Sequence, residues 1–164
     1  TNEVGGWKNS HLMRISVACL YDLSSDSYKF FREEDIPRLI EELYGAELVV
    51  GFNIRDFDYK VLSFYTQKPL NRLPTLDILQ AIYKACKRKV SLSSVSKATL
   101  NRDKIGDGLD AIKWFREGNF EKLSEYCKVD VELTKDLYLY GVKNGYVKFF
   151  DKKINKEVKV YIDW

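Results

Sequence analysis

A short apolar run at residues 47–53, Glu-Leu-Val-Val-Gly-Phe-Asn, limits the chain to few architectures. A run of this length that is rich in valine and bounded by polar residues predicts a buried strand, and such strands usually pair in parallel. Apolar residues recur at helical spacing before this run, from Glu33 to Gly45, and after it, at residues 57–65, so a helix is predicted on each side. In the second helix, Val61, Leu62 and Phe64 are predicted to face inward. This alternation predicts an α/β domain.

The remaining patterns complete one domain across residues 1–164. Residues 12–21 and 27–31 predict two antiparallel strands, and residues 73–78 predict a short strand or turn that leads into a helix ending near residue 86. Further helices are predicted at residues 91–100, 107–116 and 121–140. Residues 146–150 and 158–162 predict a C-terminal β-hairpin, with residues 151–157 as its turn. The order predicts a mixed sheet flanked by helices.

Composition excludes several classes of protein. The chain has 164 residues, of which 45% are apolar and 31% charged, so it can form one globular core. It contains no apolar stretch long enough to span a membrane, and its polar first residues do not form a signal peptide. Cys19, Cys86 and Cys127 lie too far apart for a Cys-x-x-Cys zinc site. We expect a cytoplasmic protein that is not membrane-bound.

The net charge is +3, which permits a nucleic-acid partner without requiring one. The cations are unevenly distributed. Two basic clusters stand out: Lys84, Lys87, Arg88 and Lys89 in one, and Lys152, Lys153, Lys156 and Lys159 in the other. They are either solvated surface or contacts for phosphate groups.

Asp58 follows the apolar run, after a turn at which a helix begins. The carboxyl ends of strands in α/β sheets border the crevice where ligands bind. Asp58 is therefore either a ligand in that crevice or the N-cap of the helix that follows, and Asp56 competes for both roles.

Asp130 lies four residues after Tyr126, so both side chains lie on one face of the predicted long helix. A carboxylate among apolar neighbours is costly to bury unless it is paired or binds a metal ion. One interpretation is a pair with Lys135 or Arg116. The other is that Asp130 meets Asp58 at a site where a divalent cation, such as Mg²⁺, compensates their repulsion and activates water.

Two segments resemble known nuclease motifs. The run Gly51-Phe-Asn53-Ile-Arg-Asp-Phe57-Asp58 resembles the second exonuclease motif of the DEDD family, in the form found in family-B polymerases. Tyr126-Cys-Lys-Val-Asp130 resembles the third motif of the DEDDy branch. That family has an RNase H-like fold and contains proofreading 3′–5′ exonucleases. Four further segments resemble RNase H-like domains that accompany helicases: Glu3-Val-Gly-Gly-Trp7, Leu73-Pro-Thr-Leu-Asp77, Asp107-Gly-Leu and Asp163-Trp164.

The resemblance implies a role for each motif residue. Asp58 and Asp130 would be ligands of a two-metal site for Mg²⁺ or Mn²⁺, and Tyr126 would orient the attacking water. Asn53 and Phe57 would hold the 3′-terminal nucleotide. The implied reaction is hydrolysis of terminal phosphodiesters of DNA or RNA, with release of nucleoside 5′-monophosphates.

The resemblance further implies that Asp77 supports the site without binding metal. The implied partners are a nucleic-acid single strand or 3′ end and a helicase. The alternative is a non-catalytic module with a nuclease-like fold that binds nucleic acid or assists a helicase.

The sequence departs from the family at one point. The family's first motif, Asp-x-Glu on a central strand, has no counterpart, and Glu3 does not replace it because no strand precedes it and two glycines follow. Two of the expected carboxylates are then missing, so we expect impaired or absent activity. We expect a domain truncated at its N-terminus; the C-terminal hairpin or a partner chain are the other means of filling the gap.

Overall fold

The computed structural model of the chain describes residues 15–104, 106 and 108–164. Its first elements are two antiparallel strands, β1 (Ala18–Asp22) and β2 (Ser27–Phe31), in a register that sets Tyr21 opposite Tyr28. This pairing confirms the predicted antiparallel strands, but the first is shorter than the predicted 12–21: residues 15–17 do not join the ladder, and residues 12–14 lie outside the described residues.

A 3₁₀ turn (Glu33–Asp35) leads into helix α1 (Ile36–Gly45). Pro37 lies in the first turn of α1. A backbone N–H at this position has no acceptor within the helix, so proline, which lacks the N–H, costs no hydrogen bond there. The helix packs its apolar stripe against β2 and the segments around β3. The resulting first core cluster consists of Phe31, Ile36, Leu39, Ile40, Val49, Tyr59, Leu62, Leu70 and Leu73.

The apolar run forms strand β3 (Val49–Gly51), which pairs in parallel with β4 (Thr75–Asp77). The predicted parallel pairing is confirmed. The strand is shorter than the predicted 47–53 because Asn53 adopts a left-handed backbone conformation, with φ 59° and ψ 29°, that an extended strand does not accommodate.

A π-helical turn (Ile54–Asp58) and the short helix α2 (Tyr59–Leu62) follow β3. Val61 and Leu62 are buried as predicted, but the prediction for Phe64 is wrong. Its side chain is 55% exposed because α2 ends at Leu62, so Phe64 lies beyond the helical face that packs on the core.

The later helices are α3 (Ile78–Cys86), α4 (Leu92–Leu100), α5 (Gly108–Arg116) and α6 (Phe120–Asn144). All four confirm predicted helices; Asp107, predicted at the start of α5, lies outside the described residues. Helix α6 continues four residues past its predicted end at Tyr140. It ends where Gly145, with φ 74°, provides the left-handed cap that glycine adopts without steric cost.

The C-terminal hairpin consists of β5 (Tyr146–Asp151) and β6 (Lys156–Tyr161). Its turn is shorter than predicted, because residues 151, 156 and 157 join the ladder. The inner face of the hairpin packs on α4 and α6. This second core cluster consists of Ile78, Ile82, Leu92, Val95, Leu133, Leu137, Val147, Phe149 and Val160.

The α/β class is confirmed, with parallel and antiparallel pairs. Within the described ranges the strands form three two-stranded pairings, β1–β2, β3–β4 and β5–β6. Helix α6 contacts both β1 and β3, so one helix covers the first two pairs. The hairpin joins neither pair in this part of the chain, so it does not take the place of a central strand. None of the described helices is long and apolar enough to cross a membrane.

Candidate active site

Asp77 fixes the backbone at the carboxyl end of the parallel pair. Its side chain is 4% exposed. The Oδ1 atom accepts hydrogen bonds from the N–H groups of Asn53 (2.9 Å) and Leu79 (3.1 Å), and Oδ2 accepts one from Arg55 (3.1 Å). The carboxylate thus caps α3 while it also holds the turn after β3. Backbone donors occupy both of its oxygens, which supports a positioning role.

The turn after β3 is tightly packed. A Cβ atom on Gly51 would lie 2.5 Å from the Cβ of Ile54, so only glycine fits against the following residue. The N–H of Phe57 donates to the carbonyl of Asn53 over 3.1 Å and closes the turn. Single π-helical turns occur frequently at functional sites, because they redirect side chains that a regular helix would place elsewhere.

Asp58 does not cap the helix that follows it. Its backbone is already helical, with φ −58° and ψ −45°, and its side chain makes no capping hydrogen bond. The capping interpretation is therefore wrong. Asp56 does not replace it, since the Asp56 side chain is 65% exposed and lies 3.9 Å from the Nζ of Lys60 in a surface ion pair.

The environment of Asp58 raises the pKa of its carboxyl from 3.8 to about 7. The largest cause is desolvation by the protein atoms that surround the carboxyl, and the negative charges of Asp77 and Asp130 add to it. The residue is nevertheless exposed to solvent. Because the residue as a whole is exposed, solvent partly offsets this desolvation.

Asp130 and Tyr126 meet a lysine that the sequence analysis missed. The Nζ of Lys104 lies 3.4 Å from Asp130 Oδ2 and donates a 3.5 Å hydrogen bond to the hydroxyl of Tyr126. The predicted pair between Asp130 and Lys135 is wrong, because Lys135 pairs with the adjacent Asp136 at 3.4 Å. Lys104 belongs to the segment between α4 and α5, and no local pattern connects it to Tyr126.

One oxygen of Asp130 lacks a partner. Its Oδ1 atom is buried and accepts no hydrogen bond from the residues that the structure describes. Burial raises the pKa of Asp130, and the ammonium of Lys104 partly offsets that effect. The negative charge of Asp130 in turn raises the pKa of Asp58.

The Tyr126 phenol stays protonated at neutral pH. Burial and the negative charge of Asp130 raise its pKa above the ordinary 10, against the opposing effect of Lys104. The ring of Trp114 packs edge-on against the Tyr126 ring with centroids 5.9 Å apart, which fixes the orientation of the phenol.

Asp58 and Asp130 supply the donors that a hard divalent cation prefers. Carboxylate oxygens suit Mg²⁺ and Mn²⁺, and a cation would satisfy the unpartnered Oδ1 of Asp130 and remove its repulsion with Asp58. No group of three or more His, Cys, Asp or Glu side chains in the described ranges is arranged to hold a metal. The two aspartates therefore fit such an ion, but as an incomplete set of carboxylates.

A model of the RNase H superfamily matches residues 8–141. The chain belongs to the RNase H superfamily. Membership in this superfamily supports a nuclease-type fold, a nucleic-acid partner and the use of divalent metal ions. The match includes Asn53, Phe57, Asp58, Tyr126 and Asp130 and ends before the C-terminal hairpin. No curated protein and no solved structure gives a significant match.

Proposed function

We propose that this RNase H-like domain is a metal-dependent 3′–5′ exonuclease of the DEDDy type, which hydrolyses terminal phosphodiesters of DNA or RNA. The observation that carries the proposal is the convergence of Asp58, from the turn after β3, with Asp130 on α6. The charge of Asp130 raises the pKa of Asp58 although the two belong to distant parts of the chain. Tyr126 lies one turn before Asp130, beside the same Lys104.

Each side chain has a chemical task under this proposal. Asp58 and the unpartnered oxygen of Asp130 hold the divalent ion, Mg²⁺ or Mn²⁺. When bound, such an ion lowers the pKa of a water molecule and stabilises the leaving oxygen of a phosphodiester. The neutral phenol of Tyr126 positions the attacking water by hydrogen bonding. The ammonium of Lys104, which lies 3.4 Å from Asp130 Oδ2, would supply positive charge beside the substrate phosphate.

Asn53 and Phe57 are the proposed contacts for the 3′-terminal nucleotide. Both are half-buried and lie on the turn after β3, whose backbone Asp77 holds by hydrogen bonds. An amide can hydrogen-bond a sugar hydroxyl or a base edge, and a phenyl ring can stack on a base. Their position on the same turn as Asp58 would bring the terminal phosphodiester to the carboxylates.

The test uses the natural reading frame that contains this sequence. We expect Mn²⁺-dependent release of mononucleotides from a 5′-labelled single strand, and we expect Asp58→Ala and Asp130→Ala to lose it. Asp56→Ala is the matched control, because it removes an aspartate from the same turn that is 65% exposed and pairs with surface Lys60. Digestion by Asp58→Ala at the parent rate would overturn the proposal. So would a reading frame without an upstream Asp-x-Glu strand.

A second function is supported by the contact between Lys104 and Asp130. This ion pair neutralises a carboxylate that an enzyme would use for metal, and the described residues contain no complete metal-binding group. A non-catalytic module that binds nucleic acid, or that assists a helicase, needs neither a free carboxylate nor a complete metal-binding group. It would bind a single strand in EDTA and release no mononucleotides in Mn²⁺. The helicase partnership is a proposal from sequence resemblance under either function, tested by copurification with a helicase from the same source.

A further inference from the structure

The two basic clusters, far apart in sequence, are joined in the fold. The Nη2 atom of Arg88 lies 3.2 Å from Oδ2 of Asp151, whose side chain is only 8% exposed. This ion pair attaches the loop after α3 to the end of β5, and α3 also packs on β6. We call residues 84–89 together with residues 146–161 the hairpin surface.

The hairpin surface concentrates the positive charge of the chain. Its two segments contain nine Lys and Arg residues and two Asp and Glu residues, a net charge of +7. The whole chain has a net charge of +3, so the rest of it has a net charge of −4. Seven of these cations are exposed lysines: Lys84, Lys87, Lys89, Lys152, Lys153, Lys156 and Lys159. An anionic partner would be attracted to this surface in preference to the remainder.

The outer face of the hairpin adds aromatic rings to this charge. Because side chains alternate along a strand, Val147 and Phe149 face the core, and Tyr146, Lys148 and Phe150 face outward. Their cross-strand partners on the same face are Tyr161, Lys159 and Glu157. Phe150 and Tyr161 are 45% and 73% exposed.

Rings and lysines alternate along the outer face of the hairpin, as bases and phosphates alternate along a nucleic-acid strand. Tyr146 and Tyr161 face each other at one end and Phe150 lies at the other, four residues or about 14 Å along the strand. Lys148 and Lys159 lie directly opposite each other between them; Lys148 pairs with Glu157 over 3.1 Å, so Lys159 is the cation of this pair that a phosphate would contact. The Nζ of Lys159 lies 4.1 Å from the centroid of the Tyr146 ring, so this face already holds a cation against an aromatic ring.

We propose that the hairpin surface binds single-stranded nucleic acid, as a second contact separate from the Asp58–Asp130 site. Phosphates pair with the exposed lysines, and unpaired bases stack on Phe150 and Tyr161. Aromatic rings exposed on a rigid strand suit unstacked bases; a duplex has its bases covered and would use only the charge. The hairpin lies beyond the range of the family match, so family membership does not assign it this role.

The first experiment measures the anisotropy of a fluorescent 15-nucleotide oligo(dT) in EDTA, which excludes hydrolysis. We expect Lys152→Glu/Lys156→Glu to weaken binding at least about tenfold and to reduce the slope of log affinity against log salt by about 1.4, from two lost phosphate contacts. Arg38→Glu/Lys68→Glu is the matched control. It makes the same charge change at two exposed positions around α1, and we expect binding within about twofold of the parent. Equal losses in both variants would overturn the proposal.

The second experiment removes the rings without changing charge. Phe150→Ala/Tyr161→Ala should weaken oligo(dT) binding about tenfold or more and leave binding of a blunt duplex unchanged. Tyr44→Ala, which removes an exposed ring on α1, is the control. Parent-like affinity in the double variant, or equal affinity of the parent for single strand and duplex, would overturn the proposal. Circular dichroism should show that the double variant is folded at the assay temperature, with a lower melting temperature because the Tyr146–Tyr161 ring contact is lost.

The outcome is distinguishable from that of the nuclease proposal. The hairpin variants are judged by binding of oligo(dT) in EDTA, and Asp58→Ala and Asp130→Ala are judged by release of mononucleotides in Mn²⁺, so each proposal can fail without the other. If Asn53→Ala/Phe57→Ala abolished binding in EDTA and Lys152→Glu/Lys156→Glu did not, the strand would be bound at the Asp58–Asp130 site and the second contact would be overturned.

Discussion

Replacing Asp58 with asparagine should stabilise the protein at alkaline pH. In the folded chain this carboxyl ionises only near pH 7, whereas in the unfolded chain it ionises near 3.8. Between these values the folded state binds more protons than the unfolded state, so the free energy of unfolding falls as pH rises through this window. Above pH 7 the carboxyl is ionised in both states, and the free energy of unfolding falls no further. Asparagine keeps the shape of the side chain and has no charge to desolvate.

The magnitude follows from the pKa and from the exposure of Asp58. A rise from 3.8 to about 7 corresponds to about 4 kcal/mol at full effect. Asp58 is an exposed residue, so solvent reduces both the desolvation, which is the main cause of the shift, and the repulsion by Asp77 and Asp130, and we expect less than half of that to remain. We expect Asp58→Asn to be about 1–2 kcal/mol more stable than the parent at pH 8. At pH 3.5 both side chains are largely uncharged, and the difference should approach zero.

Urea denaturation at pH 3.5, 6 and 8 measures this difference. Asp56→Asn is the control, because its 65% exposed carboxylate pairs only with Lys60, and we expect a change within about 0.5 kcal/mol at every pH. Mn²⁺ at pH 8 should stabilise the parent and not Asp58→Asn, since the ion needs the carboxylate. An Asp58→Asn variant that is no more stable than the parent at pH 8, or equally stabilised at pH 3.5, would refute the electrostatic argument.

Substitutions at three further positions test other contacts. Asp77→Ala should lower the free energy of unfolding by about 3 kcal/mol or more, because it leaves several backbone N–H groups without an acceptor, and Asp77→Asn should cost less in the same urea titration because one oxygen remains. Lys104→Met should tighten Mn²⁺ binding at pH 8 by about three- to tenfold in calorimetry, since it removes the cation that competes for Asp130; unchanged affinity would argue against that competition. Gly141→Ala should displace Trp164, because a Cβ would lie 2.5 Å from the indole Nε1, and a red shift of tryptophan emission with a loss of about 1–2 kcal/mol is expected.

Local sequence patterns predicted most of the fold. The parallel strand at Val49–Gly51 and the long helix through Asp130 were both recognisable, because burial and helical periodicity leave a signature in neighbouring residues. The hairpin was also predicted, but its turn was placed too wide. Residue 151 and residues 156–157 join the ladder there, although their composition is typical of a turn.

The parts that the sequence did not reveal depend on contacts between distant segments. Asn53 ends β3 early in a left-handed conformation whose N–H donates to Asp77, 24 residues away. Lys104 contacts Tyr126, which lies 22 residues later in the chain. The loops between them show no periodicity from which this contact could be predicted. Nothing in the residues beside Lys104 distinguishes it from a solvated lysine, because its role is defined by the helix it meets.

The packing of α6 on β1 dictates when a newly made chain completes its fold. The Sγ of Cys127 donates a long hydrogen bond of 3.8 Å to the carbonyl oxygen of Val17, across 110 residues of sequence. At about 5–20 residues per second, a ribosome finishes β1 and β2 roughly 5–20 s before it delivers the helix that covers them. During that interval the half-buried strand face meets water and other nascent chains. Mispairing during synthesis should therefore begin at β1 rather than at the helices.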